Sequence, residues 1–360
     1  MPNKAKQARE ARAEKMRDPI IIGGVSIKVG ERRTVDLPIA RLYTHTAMTM
    51  PVHVIHGKKD GPRLFVSAAI HGDEINGVEI VRRLLKLKLL QKLRGTLLAI
   101  PIVNVYGFTD CSRYLPDRRD LNRSFPGSHK GSLTSHLARL FMDEIVDKCT
   151  HGIDIHTGSN HRANLPQMRV VLDDPQVERL ARIFGAPVII NARLRDNSLR
   201  EAVIEKGIPM LLYEGGEGLR FNEYAINVGL KGIIAVMREI GMLPKSLKRK
   251  KLREPIIVDS TTWLRSPKSG IMHSAVPLGA RIYRNDIIAH IADPFGENQE
   301  KVVSPVDGIV IGALQLPLVY KGDALFHVAP LESIAEHENL GTINFEDELR
   351  REAVRPDSGS

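Results

Sequence analysis

Within residues 66–85, VSAAIHGDEINGVEIVRRLL, an apolar run opens onto HGDE and then onto a segment of helical texture. The two residues between His71 and Glu74 put both side chains on one side of a tight strand-to-helix turn, in reach of a single ion. His156 ends the short strand in HGIDIHTG (151–158) and offers a third donor. Two histidines and a carboxylate leave a tetrahedral zinc with one position open for water, the donor set of a hydrolytic rather than a structural site. The plainer alternative is a helix capped by Asp73, with both histidines as ordinary satisfied polar residues.

Two further stretches carry chemistry. In the loop that ends RRDLNRSFPG, Arg113, Arg118, Arg119 and Arg123 are interleaved with Asp117, Asp120 and Asn122. Arginine grips a planar carboxylate through two parallel hydrogen bonds, so one or two of these fit a substrate carboxylate while another polarises a carbonyl under attack. Arg118 and Arg119 also read as solvated loop partners of the local aspartates; Asn122 and Arg123 look more deliberately placed. In MLLYEGGEGLR, Glu214 ends an apolar strand before two glycines, where a carboxylate beside an activated water takes a proton and returns it to a leaving amine. Glu217 is its rival, and a helix N-terminal acid is the alternative for Glu214.

These residues must be held by a scaffold, and the pattern predicts an α/β one. MPVHVIHG, PRLFVSAAIHG, GTLLAIPIVNVYG, HGIDIHTG, PVIIN and IPMLLYEGG read as strands. Helical periodicity occupies 75–93, 133–147, 174–184, 198–206 and 222–240. Strands alternating with helices argue for a central sheet covered on both faces, with ligand sites at C-terminal strand ends. From 255 to 330 short Val/Ile stretches broken by Gly and Pro predict a small all-β domain. Two of its units resemble each other: SPKSGIMHSAVPLGARIYRNDIIAHI and SPVDGIVIGALQLPLVYKGDALFHV, a duplicated hammerhead. The expected divisions are a basic leader with N-terminal strands (1–40), a catalytic domain (41–243), a basic connector (244–255), the β domain (256–332) and an acidic tail (333–360).

Composition excludes several classes. At 42% hydrophobic residues the 360-residue chain has enough for a real core, and no uninterrupted apolar stretch is long enough for a membrane helix. A cytoplasmic protein without membrane attachment is the expectation. Cys111 and Cys149 form no CxxC pair or disulfide framework. The net charge of +10 favours anionic ligands, yet aromatic residues are only 5% and none interleaves the basic KSLKRKKLR block, which disfavours nucleic acid as the main partner.

Taken in order, HGDE (71–74), RDLNRSFPG (119–127), DIHTG (154–158) and YEGG (213–216) resemble the succinylglutamate desuccinylase/aspartoacylase family of zinc carboxypeptidase-like hydrolases. The resemblance implies a carboxypeptidase-like domain with a mixed sheet, one Zn2+ per chain on His71, Glu74 and His156, and Glu214 as general base and acid. It further implies that Asn122 and Arg123 bind the substrate carboxylate and that Arg113 polarises the carbonyl, with Arg118 and Arg119 as competitors and Arg119 as a further substrate contact. The implied reaction is hydrolysis of a small anionic N-acyl amino acid of N-succinyl or N-acetyl type. A related group acts on N-acetylated diaminobutyrate, and the layout here is at least as reminiscent of it. The β domain is expected to act as a lid or as a contact in a homo-oligomer. Rival readings are a zinc carboxypeptidase acting on short peptides and a non-catalytic binding protein of the same fold.

Overall fold

The computed structural model describes residues 18–245 and 254–334; the basic leader up to 17, most of the connector and the acidic tail from 335 lie outside the described residues. β1 (Ile20–Ile22) and β2 (Val25–Ile27) form a small ribbon. They lead into β3 (Arg32–Arg41), β4 (Ala47–His56), β5 (Lys59–Ala68), β6 (Arg94–Ile100), β7 (His151–Gly158), β8 (Arg162–Val170), β9 (Val188–Asn191) and β10 (Met210–Glu217). Six helices intervene or follow: α1 (Asn76–Lys86), α2 (Val105–Thr109), α3 (Leu133–Glu144), α4 (Pro175–Phe184), α5 (Leu199–Ile204) and α6 (Glu223–Glu239).

At the centre of the sheet β10, β7, β5 and β6 run parallel side by side, with β4 and β3 antiparallel on one flank and β8 antiparallel on the other. Side chains alternate between the faces of a strand. On one face Leu64 and Val66 of β5, Ile153 and Ile155 of β7 and Leu211 and Tyr213 of β10 pack with Ile80 and Leu84 of α1, Leu180 and Phe184 of α4 and Ile233 and Val236 of α6. On the other face Phe65 meets Phe141 of α3 edge-on at 5.8 Å. Along that second face the residues turn polar toward the C-terminal strand ends: Phe65 then Ser67, Gly152 then Asp154 then His156, Met210 and Leu212 then Glu214. Three adjacent strands therefore deliver polar groups to one place.

The helix ends follow local chemistry. Ser132, Asp174, Ser198 and Asn222 cap α3, α4, α5 and α6 with side-chain oxygens, as expected of short polar residues ahead of periodic segments. α1 differs: Ile75 occupies its cap position without a side-chain bond, so Asp73 is not the cap. The periodic stretch from 75 to 93 also breaks at Leu87, after which residues 88–92 form a tighter single turn.

After the connector come β11 (Ile256–Val258), β12 (Thr262–Arg265), β13 (Gly270–Ser274), β14 (Arg281–Ile282), β15 (Ile287–Ala292), β16 (Glu300–Val303), β17 (Gly308–Leu314), β18 (Leu318–Val319) and β19 (Ala324–Pro330). Strands β16, β15, β13 and β18 make a separate four-stranded antiparallel sheet, the core of the small β unit. The rest extend the large sheet: β17 pairs with the first half of β8, β19 and β12 follow it, and β11 pairs with β9. Strand β3 likewise carries the large sheet back to Arg32.

Leu165, Val188 and Ile190 share a buried cluster with Ile256, Val258, Ile309 and Ile311, so one core crosses the seam between the two units. Because that seam is apolar, Ile311→Ala should cost about 2–5 kcal/mol. Urea denaturation followed by near-UV circular dichroism should show one transition at a lower midpoint; a separate early transition that leaves the N-terminal unit intact would contradict a shared core.

Candidate metal centre and its arginine-lined cavity

Strand β5 ends at Ala68, and Ala69 turns with a left-handed φ of 50°, a costly conformation for a residue with a Cβ. The turn closes with the Glu74 N–H donating to the His71 carbonyl at 3.1 Å. Gly72 is required here, since a Cβ at this position would stand 1.8 Å from the Gly107 backbone of α2. His71 and Glu74 thus leave a turn clamped against its neighbour. His156 arrives from β7, paired in register with Glu214 of β10.

The donor atoms of His71, Glu74 and His156 lie within 4.8 Å of one another, and all three residues are buried. The two carboxylate oxygens of Glu74 stand 2.8 Å from Nδ1 of His71 and 2.8 Å from Nδ1 of His156. Each ring is held at its other nitrogen by a second carboxylate: Nε2 of His71 by Asp120 at 3.1 Å, Nε2 of His156 by Asp154 at 2.7 Å. Asp154 in turn accepts from the Ser67 hydroxyl at 2.7 Å. A carboxylate on the outer nitrogen fixes the tautomer that leaves Nδ1 for a metal. Donor types, spacing and outer partners all suit a divalent ion with an open coordination position.

Electrostatics agree. Burial alone would push both rings toward their neutral form. For His71 the charge of Glu74 and the bonds to Asp120 and Glu74 outweigh it, and for His156 the charges of Asp154 and Glu74 do; both pKa values are raised. Burial would raise the Glu74 carboxyl, but the two histidines hold it well below the usual carboxylate range. A metal ion replaces the protons those rings would otherwise carry, and binding releases them.

The loop arginines separate. Arg113 chelates Asp120 through Nε at 3.1 Å and Nη2 at 2.9 Å, and its Nη1 comes to 3.4 Å from Glu74. Arg123 and Asn122 also line the cavity beside the triad. The Asn122 side-chain oxygen is already engaged, accepting from the Leu199 N–H at the start of α5 at 2.9 Å. Arg118 and Arg119 are exposed and outside the cavity lining. Their neighbour Asp117 turns inward to Thr134 instead, while Arg119 uses only backbone groups in the loop. Glu214 lines the cavity; Asn164 donates to it at 2.7 Å, and the Arg169 guanidinium forms an ion pair with it at 3.7 Å. Glu217 pairs with Arg220 away from it.

Several lining residues escaped the sequence reading. Arg162, Asn164 and Arg169 come from β8, Arg195 from the segment leading into α5, Arg200 from the first turn of α5, and Trp263 and His327 from the C-terminal unit. Trp263 and His327 stack at 4.3 Å with rings 3° apart, and the Arg162 guanidinium lies over the indole 5.5 Å from its centre. Burial, then the positive charges of Arg169 and Arg195, push the His327 pKa down to about 3. Burial and the charge of Arg169 bring that of Arg200 down to about 10. The cavity of about 260 Å³ is strongly positive.

A buried His–Glu–His cluster at the C-terminal ends of parallel strands, facing a small polar cavity, defines a metallohydrolase of the α/β class. The family description Succinylglutamate desuccinylase/Aspartoacylase catalytic domain matches residues 60–240, half of the chain, and the protein belongs to that family. The curated N-alpha-acetyl-L-2,4-diaminobutyric acid deacetylase of Halomonas elongata is 27% identical over 259 residues, 69% of this chain and 75% of that protein. In fold, the chain is similar to the product-bound ectoine utilization protein EutE (DoeB) of Ruegeria pomeroyi, with a TM-score of 0.74 and 23% identity over 83% of this chain and 94% of that one. It is also similar to an aspartoacylase family protein of Mesorhizobium loti, with a TM-score of 0.73 and 18% identity over 87% and 98%. With the metal cluster, family membership makes the protein a metal-dependent hydrolase of carbon–nitrogen bonds other than peptide bonds. No described helix is long and apolar enough to cross a membrane.

Metal analysis of the purified chain should find about one ion per protein, falling below about one tenth in His71→Ala or His156→Ala, because each removes one of three protein ligands. Stoichiometric metal in either variant would contradict the ligand assignment. A second expectation concerns acid. An unfolded histidine takes a proton near pH 6.5, whereas His327 in the fold refuses it until about pH 3. Its contribution is therefore complete above pH 6.5 and is lost as pH falls toward 3. His327→Phe should make the acid decline of stability over that window shallower; an unchanged slope would show that His327 titrates normally.

Proposed function

We propose that the protein is a zinc-dependent deacylase for small N-acyl amino acids that carry two carboxylates. The observation behind the dianion is the charge lining the cavity. Six arginines, Arg113, Arg123, Arg162, Arg169, Arg195 and Arg200, face two carboxylates, Glu74 and Glu214. Both are already engaged: Glu74 by two histidines, Glu214 by Asn164 and Arg169. No lining carboxylate is left for a substrate ammonium. Two separated anionic groups, by contrast, find partners in Arg123 on the loop and in Arg195, which feels the charges of Arg169, Arg123 and Arg113.

Zinc bound by His71, Glu74 and His156 supplies Lewis acidity toward the acyl carbonyl and makes water a nucleophile near neutral pH. The rest is done by the chain. Glu214, opposite His156 in the strand register, takes the proton of the attacking water at a carboxylate oxygen and returns it to the departing amine nitrogen. Arg113, fixed by its two bonds to Asp120, presents its remaining edge to charge developing on the acyl oxygen. Arg123 holds the amino acid carboxylate, and Asn122 supports it with the amide nitrogen that α5 leaves free. The Trp263–His327 wall closes one side against a longer peptide, which disfavours carboxypeptidase action.

Assays of the zinc-loaded chain should give kcat/KM for N-acetylaspartate, which carries two carboxylates, at least about tenfold above that for N-acetyldiaminobutyrate, since one good charge-assisted contact is worth roughly that much. Arg195→Met should narrow the gap. Preference for the diaminobutyrate derivative would overturn the dianion reading, and hydrolysis confined to peptides would overturn deacylation.

A further inference from the structure

Glu214 is held by a device that spans both units of the chain. Residues 164 and 167 of a regular strand point to opposite faces. Yet Asn164 Nδ2 donates to Glu214 Oε2 at 2.7 Å, and Gln167 Nε2 approaches the same oxygen at 3.4 Å. The register explains this. Glu214 pairs with Gln167 and Gly216 with Asn164, so β10 advances two residues while β8 advances three. The extra residue is a bulge, and Pro166 within it has no N–H to give to a ladder. The bulge turns both amides onto one carboxylate. Asn164 and Gln167 are both buried, so few other arrangements are open to them.

The same point is where β8 changes its outer partner. Gln167 and the residues after it pair with β9, whereas Asn164 pairs with Gly312 of β17 in the C-terminal unit. A Cβ on Gly312 would stand 3.0 Å from Asn164 Oδ1 and 3.1 Å from the His327 Cβ. The glycine therefore leaves the Asn164 amide the space in which it faces Glu214. We propose that Asn164 and Gly312 are positioning residues for Glu214, so that the C-terminal unit acts through β17 to hold the proton-transfer carboxylate in place. This rests on the reading of Glu214 given above. It assigns the C-terminal unit a share in the reaction itself, beyond covering the cavity.

The test uses the full zinc-loaded chain. Asn164→Ala should lower kcat about 10- to 100-fold with KM within about twofold and bound zinc unchanged, the pattern of a lost transition-state contribution. Gly312→Ala should show the same split with a smaller loss and near-normal thermal stability. Placed in a Glu214→Gln background, Asn164→Ala should reduce the residual turnover by less than about twofold, because the residue acts through Glu214. An equal loss in that background, or unchanged kcat in the single variant, overturns the proposal. A crystal structure of Asn164→Ala decides the point without turnover: the Glu214 carboxylate should move by more than about 1 Å, since only the long 3.4 Å contact from Gln167 would remain on that oxygen from β8. An unmoved carboxylate overturns the positioning claim, whereas a wild-type chain inactive on every acyl amino acid overturns only the reading of the reaction.

Discussion

The structure is organised around one buried carboxylate shared between two imidazoles. Glu74 is 2% exposed and bridges Nδ1 of His71 and Nδ1 of His156. Burying that charge is tolerable because both rings, each backed by its own carboxylate, face it, with the Thr157 N–H and Arg113 beside them. The requirement propagates outward. Strands β5 and β7 must be neighbours and parallel, the turn after β5 must be tight enough to return Glu74 toward His71, and Asp154 must sit beneath His156 with Ser67 to hold it. Apolar faces on both sides of the sheet make that geometry rigid, and the polar ends of the same strands give it chemistry.

Around this centre the charges are sorted by sign. Carboxylates lie beneath and beside the histidines, where they orient the rings, while arginines line the cavity in front of them. Asp120 joins the two sets, since one side chain holds both His71 and Arg113. A shift of the loop carrying Asp120 would therefore disturb His71 and Arg113 together. The C-terminal unit completes the enclosure from the far edge through Trp263 and His327, and its β17 continues the large sheet without a break. A wall built from a continuous sheet is better fixed than a hinged cover.

Most of the central geometry was legible in the sequence, because it is written in short local patterns. HGDE and YEGG each follow an apolar run, strand ends are where such runs stop, and DIHTG closes the short strand HGIDIHTG. The cap of the first helix was misread, because Asp73 is a typical capping residue but the helix starts later, after Ile75. The bulged strand β8 was not legible: in RANLPQMRV the proline and the alternating polar residues hide a strand whose polar side chains face a cavity rather than solvent. With it went Arg162, Asn164 and Arg169. Trp263 and His327 were missed because their role depends on which sheet the C-terminal strands join, a long-range pairing that no local pattern carries. The loop arginines show the same limit: Arg113 and Arg119 look alike in sequence, and only the bond to Asp120 separates the one that turns inward.

The central claim is that His71, Glu74 and His156 hold one zinc ion at the ends of β5 and β7. Anomalous diffraction at the zinc edge from crystals of the zinc-loaded chain tests it most directly. The account predicts one strong peak about 2.0–2.2 Å from Nδ1 of both histidines and from a Glu74 oxygen. Zinc bound elsewhere, with the two Nδ1 atoms still bonded to Glu74, would contradict it.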